Sequence, residues 1–215
     1  MPPPTSSPTT DSEQQRVRRI VLASNNSGKL REMNALLAGH QFQIVGQSSL
    51  AVAEVEETGL SFVENALLKA RNAAKSTGLA AIADDSGLEV DALGGAPGIH
   101  SARYAGPGAS SRDNIDKLLR ELRSVPDNDR SARFQCVLVM LRSASDPTPV
   151  IAQGTWEGTI ADAPRGGYGF GYDPVFWIPG EHRTAAELPA AVKNRISHRS
   201  QALTTLLRLL ERSRR

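Results

Sequence analysis

The stretch that decides the fold is "RIVLASNNSGKLREM", residues 19–33. An apolar run, Ile20 to Ala23, feeds a polar turn, Ser24 to Gly28, and the residues that follow read as a helix. A strand, loop and helix in that order aim backbone N–H groups and the positive end of a helix dipole into the loop, and Lys29 adds a full charge. The guest that suits such a loop is a phosphate. The plainer alternative is a polar turn that caps the helix through Asn26 or Ser27. A P-loop is not the explanation: Gly28-Lys29 fits its pattern, but the pattern needs glycine at Ala23 and a hydroxyl at Leu30.

Outward from this stretch, "FQIV" (42–45) reads as a short strand and "SFVENALLKARNAAKSTG" (61–78) as a helix ended by Gly78. On that helix Phe62, Ala66, Ala70 and Ala73 share a face, and Asn65, Lys69 and Asn72 recur along its edge, where a cleft would meet them. "LAAIADDSGLEVDAL" (79–93) reads as a strand that enters a polar turn and leaves it again. A Gly-rich loop and a helix over 112–125 follow. The runs 132–142 and 149–162 read as antiparallel strands. A last helix, 197–213, carries Leu203, Leu206, Leu207 and Leu210 as one core stripe. Helices and strands that alternate at first and then give way to hairpins predict an α/β fold, a mixed twisted sheet flanked by helices.

Composition sets the outer limits. The 215 residues suit a single domain over 17–213, preceded by a Pro-, Ser- and Thr-rich tail, 1–16, expected to be disordered. A net charge of +2 with scattered basic residues marks no nucleic-acid surface. No apolar run reaches the length of a membrane span or signal peptide, so a cytoplasmic protein is expected. The single cysteine, Cys136, sits in "CVLVML" and reads as a buried, inert thiol.

Four further stretches carry chemistry. In "IADDSG", adjacent Asp84 and Asp85 follow an apolar strand, and alternation sends their side chains to opposite faces, one into a cleft and one bracing it. An Asx-type turn before Gly87 is the bland reading. "EVEETG" offers Glu56 and Glu57 toward magnesium, which takes carboxylate and phosphate oxygens; a solvated acidic turn is the alternative. "GGYGFGYDPVF" (166–176) joins glycines for close backbone approach to aromatics able to stack on a base. "KNRISHR" sets Lys193, His198 and Arg199 close together, as a solvated charge cluster would also do.

With "SNNSGK", "EETGLSFVENALLKA", "AIADDSGLEVDALGGAPGIHSARYAG", "GGYGFGYDPVF" and "ISHRSQAL" in that order, residues 19 to 211 resemble the inosine/xanthosine triphosphate pyrophosphatase family. The resemblance implies two lobes with a central nucleotide-binding cleft, and hydrolysis of ITP, dITP and XTP to the monophosphate and pyrophosphate. It implies that Ser24, Asn25, Asn26, Ser27, Gly28 and Lys29 hold the triphosphate, with Lys69 beside it. Glu57 and Asp85 would hold Mg2+, and Asp85 would also accept a proton. Ser86, Phe170, Gly171, Tyr172, Asp173, Lys193, His198 and Arg199 would contact the purine nucleotide. A homodimer is implied as well. Asn25 departs from the family, which usually has glycine there. The rival reading is a binding module that senses nucleotides without hydrolysing them.

Overall fold

In the computed structural model, which describes residues 18–212, the opening apolar run forms β1 (Arg18–Leu22), and its alternation decides the layers. Ile20 and Leu22 enter one core, and Val21 and Ala23 enter another on the opposite face. The chain continues through α1 (Ser27–Leu36), β2 (Phe42–Gly46), α2 (Phe62–Thr77), β3 (Ala80–Val90), α3 (Ser111–Glu121), β4 (Ser131–Leu141) and β5 (Val150–Ile160). It ends with β6 (Phe176–Ile178), β7 (Arg183–Thr184), α4 (Ala190–Ile196) and α5 (His198–Arg212). The tail expected over residues 1–16 lies outside the described residues. Among the described residues, no helix is long and apolar enough to cross a membrane.

The seven strands make one mixed sheet in the order β2-β1-β3-β4-β5-β6-β7. β1 runs parallel to β2 and β3, and every later pair is antiparallel. Ile82, Cys136, Leu138 and Met140 meet α1 and α5 on one face through Met33, Leu203 and Leu206. Ala81, Ala83, Val137, Val139 and Leu141 meet α2 on the other face through Ala66, Ala70, Ala73 and Ala74, whose small side chains let that helix lie close to the sheet. Full burial of a leucine such as Leu206 contributes about 1.5–3 kcal/mol. Ser61 caps the start of α2, and Gly78, with φ of 68°, ends it as expected.

A third core, in a second region of the molecule, gathers at the far ends of the long strands, from Leu88, Val90, Phe134, Trp156 and Ile160, with Leu118 of α3 and Phe176 of β6. Between the two regions β3 carries Asp84, Asp85 and Ser86. These residues form no turn, contrary to the sequence-based expectation. They pair straight across to Leu138, Val137 and Cys136, because β4 supplies a partner for ten consecutive residues of β3 and holds the polar triplet extended. Gly87 is needed next, since a Cβ there would lie 2.2 Å from the Gly98 carbonyl oxygen. Cys136 is buried as expected.

Candidate functional site

At the end of β1 the polar loop turns into α1 with Asn26 as its cap. The Asn26 Oδ1 accepts the N–H groups of Gly28 at 2.8 Å and Lys29 at 3.1 Å. The capping reading is thus correct for Asn26, and those two amides point at the cap. Asn25 Nδ2 donates to Glu54 Oε1 at 2.6 Å, and its Oδ1 accepts from Gln47 Nε2 at 3.1 Å. Lys29 reaches back to β3, where its Nζ lies 2.7 Å from Asp84 Oδ1.

Alternation along β3 gives the two aspartates different tasks. Asp84 is fully buried and held by Arg199 Nε at 2.5 Å, by Lys29, and by the Ser86 hydroxyl, which donates at 2.8 Å. Burial alone would raise its pKa, but Arg199 and Lys29 outweigh that and hold it well below the usual carboxylate range. Asp85 faces the cleft. Its Oδ1 meets the Lys69 ammonium at 2.5 Å, while its buried Oδ2 has no hydrogen-bond partner. Lys69 also lies 2.8 Å from Glu57 Oε1, and Arg103 sits 3.2 Å from Glu57 Oε2. Burial raises the Asp85 pKa against the pull of Lys69. Burial works to lower the pKa of Lys69, but the charges of Asp85 and Glu57 raise it and keep it an ammonium.

The opposite wall is a buried chain of ions. Lys193 bridges Glu32 Oε1 at 2.9 Å and Asp173 Oδ2 at 2.6 Å, and Arg199 pairs with the other oxygen of Glu32. Asp173 Oδ2 also accepts the Phe170 N–H at 2.8 Å, which fixes the loop. The Phe170 ring covers Gly28, where a Cβ would lie 2.6 Å from it, and has Lys193 and Arg199 near its face at 5.1 and 5.6 Å from the centroid. Tyr172 is buried and donates to the Ser101 carbonyl. His198 stacks against Phe134 with centroids 4.8 Å apart, and its Nδ1 is buried without a partner. Burial, and then Arg199 beside it, hold the imidazole well below its ordinary pKa, so it is neutral. Together these walls enclose a cleft of ≈ 720 Å³.

The pattern of these segments matches a known family. The Ham1 family model matches residues 20–209. This chain belongs to the Ham1 family. A Vibrio cholerae protein named dITP/XTP pyrophosphatase is 56% identical over 92% of this chain and 99% of its own length. One of the same name from Thioalkalivibrio sulfidiphilus is 61% identical over 90% of this chain and 98% of its own. The fold is that of a HAM1 protein from Coxiella burnetii, with a TM-score of 0.83 and 52% identity, covering 91% of this chain and 99% of that one.

In this Ham1 chain the structure brings Ser24, Asn25, Asn26, Lys29, Glu57, Lys69, Asp85, Ser86, Phe170, Gly171, Tyr172, Asp173, Lys193, His198 and Arg199 to the walls of the one cleft. Ser27 and Gly28 stay off its lining: Ser27 is exposed and Gly28 lies beneath Phe170. Lys193, His198 and Arg199 are at most 5% exposed, so these three form an interior cluster and not a solvated face, while Arg195 between them stays exposed. Glu32 was missed, although it lies three residues after Lys29 on one helix face, a spacing that places both toward the same neighbours. Arg103 was missed too, although it lies in "GIHSARYAG" within one of the segments that carry the resemblance; nothing in its spacing points to Glu57.

Proposed function

We propose that this chain hydrolyses non-standard purine nucleoside triphosphates, dITP, ITP and XTP, to the monophosphate and pyrophosphate with magnesium as cofactor. The observation that carries this reading is the partnerless, buried Asp85 Oδ2, facing a cleft that also holds Glu57, Lys29 and Lys69. Among the described residues no three His, Cys, Asp or Glu side chains are gathered for a metal, so an ion here rests on Asp85, Glu57 and substrate oxygens. That donor set suits magnesium, which takes one or two carboxylates with phosphates and keeps several waters. When bound, magnesium neutralises charge on the phosphates and on the departing pyrophosphate.

Asp85 orients the water that attacks the α-phosphorus and takes its proton. Burial raises the proton affinity of this carboxylate, which makes it the better base. Lys29 and Lys69 turn from their carboxylates to phosphate oxygens and stabilise the leaving group. Phe170 offers a stacking face. On the purine, a 6-carbonyl accepts from donors on the side of His198 and Arg199, whereas adenine's 6-amino group would leave a buried donor unpaired at a cost of about 1–3 kcal/mol. A homodimer in the cytoplasm belongs to this reading on the family resemblance alone.

The test is a panel of dITP, XTP, GTP and ATP with magnesium, assayed separately for pyrophosphate and orthophosphate. Monophosphate and pyrophosphate should appear in one step from dITP and XTP. Orthophosphate as first product overturns the reaction, and tight binding without any turnover makes the chain a nucleotide-sensing module instead.

A further inference from the structure

Four carboxylate oxygens belong to Asp85 and Glu57, and three of them are taken by cations of the protein itself. Lys69 holds Asp85 Oδ1 and Glu57 Oε1, and Arg103 holds Glu57 Oε2. Only Asp85 Oδ2 has no partner. A divalent ion that is to take both acids therefore competes with the Lys69 ammonium for their oxygens while that ammonium stays where it is. The same ammonium lies 3.1 Å from the Asp84 carbonyl oxygen, so three acceptors hold it in place. Lys69 projects from the middle of α2, a helix packed on the sheet through four buried alanines, so its stem is anchored and only the side chain is free to turn.

We infer that Lys69 is a resident stand-in for the metal: it bridges Glu57 and Asp85 in the free protein and surrenders them only when a polyphosphate arrives to accept its charge. The inference rests on the magnesium reading above and adds the order of events. Two carboxylates left facing one another would repel, and the ammonium removes that repulsion in the free state. It also competes with any metal that comes alone. A triphosphate supplies new acceptors for the ammonium, so nucleotide and metal each raise the other's affinity, as thermodynamic linkage requires. The device keeps a metal-loaded, nucleotide-free site scarce, so that water activation waits for substrate.

The experiment is Mn2+ titration followed by electron paramagnetic resonance, on wild type, Lys69→Met, Lys69→Gln and Lys69→Arg, without nucleotide. Wild type and Lys69→Arg should bind Mn2+ weakly, and Lys69→Met and Lys69→Gln should bind it at least about tenfold more tightly. Circular dichroism checks that each variant is folded, and the Gln variant serves if Met does not fold. Equal Mn2+ affinity in wild type and the neutral variants overturns the inference and leaves the magnesium reading standing. A second titration adds the α,β-methylene analogue of dITP. If Mn2+ is held no better by wild type than by Asp85→Asn with that analogue present, the magnesium reading fails together with the inference.

Discussion

Arg199 of α5 and Asp84 of β3 form an ion pair in the interior, Nε to Oδ2 at 2.5 Å, with side chains 1% and 0% exposed. The pair ties the last helix to the middle of the sheet, and Glu32 and Lys29 extend it to α1. Removing one partner of such a pair leaves a buried charge uncompensated. Asp84→Asn should therefore lower stability by about 3–5 kcal/mol. Urea unfolding measures it, and a loss within experimental error would show that Glu32, already paired with Arg199, suffices as its counter-ion.

Asp85 should matter to turnover more than to folding. Asp85→Asn keeps the shape and removes the charge that holds Lys69, so kcat should fall by roughly 100-fold or more, while the circular dichroism spectrum is retained. Near-normal kcat would move the proton acceptor to Glu57.

The loop at the start of α1 separates capping from phosphate binding. Asn26→Ala removes the acceptor for two amides and should cost about 1 kcal/mol of stability. From sequence alone Lys29→Ala would be silent in stability, since a lysine in the first turn opposes the dipole. The structure reverses that expectation, because Lys29 is one of two cations on buried Asp84. Lys29→Ala should lower both Tm and kcat/KM. Unchanged kinetics in this variant would make the loop scaffold only.

His198 predicts a pH dependence of stability. It is buried and held neutral below its ordinary pKa of 6.5, whereas in the unfolded chain it takes up a proton. The unfolded state then binds more protons below about pH 6.5, so this stability is complete above that pH and is lost as the pH falls. His198→Phe keeps a ring against Phe134 and should flatten the loss. Identical slopes of unfolding free energy against pH in the two proteins would exclude His198 as its source.

Gly154 of β5 tests the approach of α5. A Cβ there would lie 2.1 Å from the His198 carbonyl oxygen and 2.5 Å from the Ala202 nitrogen. Gly154→Ala should cost about 1–3 kcal/mol through overpacking. A Tm equal to that of wild type would show that α5 can shift without loss.

The elements with strong periodicity were legible. α2 is held by its alanine face and by Gly78, and β4 and β5 by long apolar runs. The middle of β3 was not, because Asp-Asp-Ser-Gly reads locally as a turn and only pairing with β4 keeps it extended. β6, β7 and α4 were also illegible, since segments of three, two and seven residues carry too little pattern.

By itself the sequence determined the order of strand, loop and helix, the layers into which alternate apolar residues fall, and the set of segments that resemble one family. Those are local or ordered properties, set by side-chain periodicity and by the chemistry of neighbouring residues. Only the tertiary structure decided which partners hold each charge in place. Asp84 braces and Asp85 faces the cleft because Arg199, 115 positions away, lies behind one and Lys69 before the other. Glu32 belongs with Lys193 across 161 positions of chain. Electrostatic roles depend on distance and burial, and both are set where separate elements pack together.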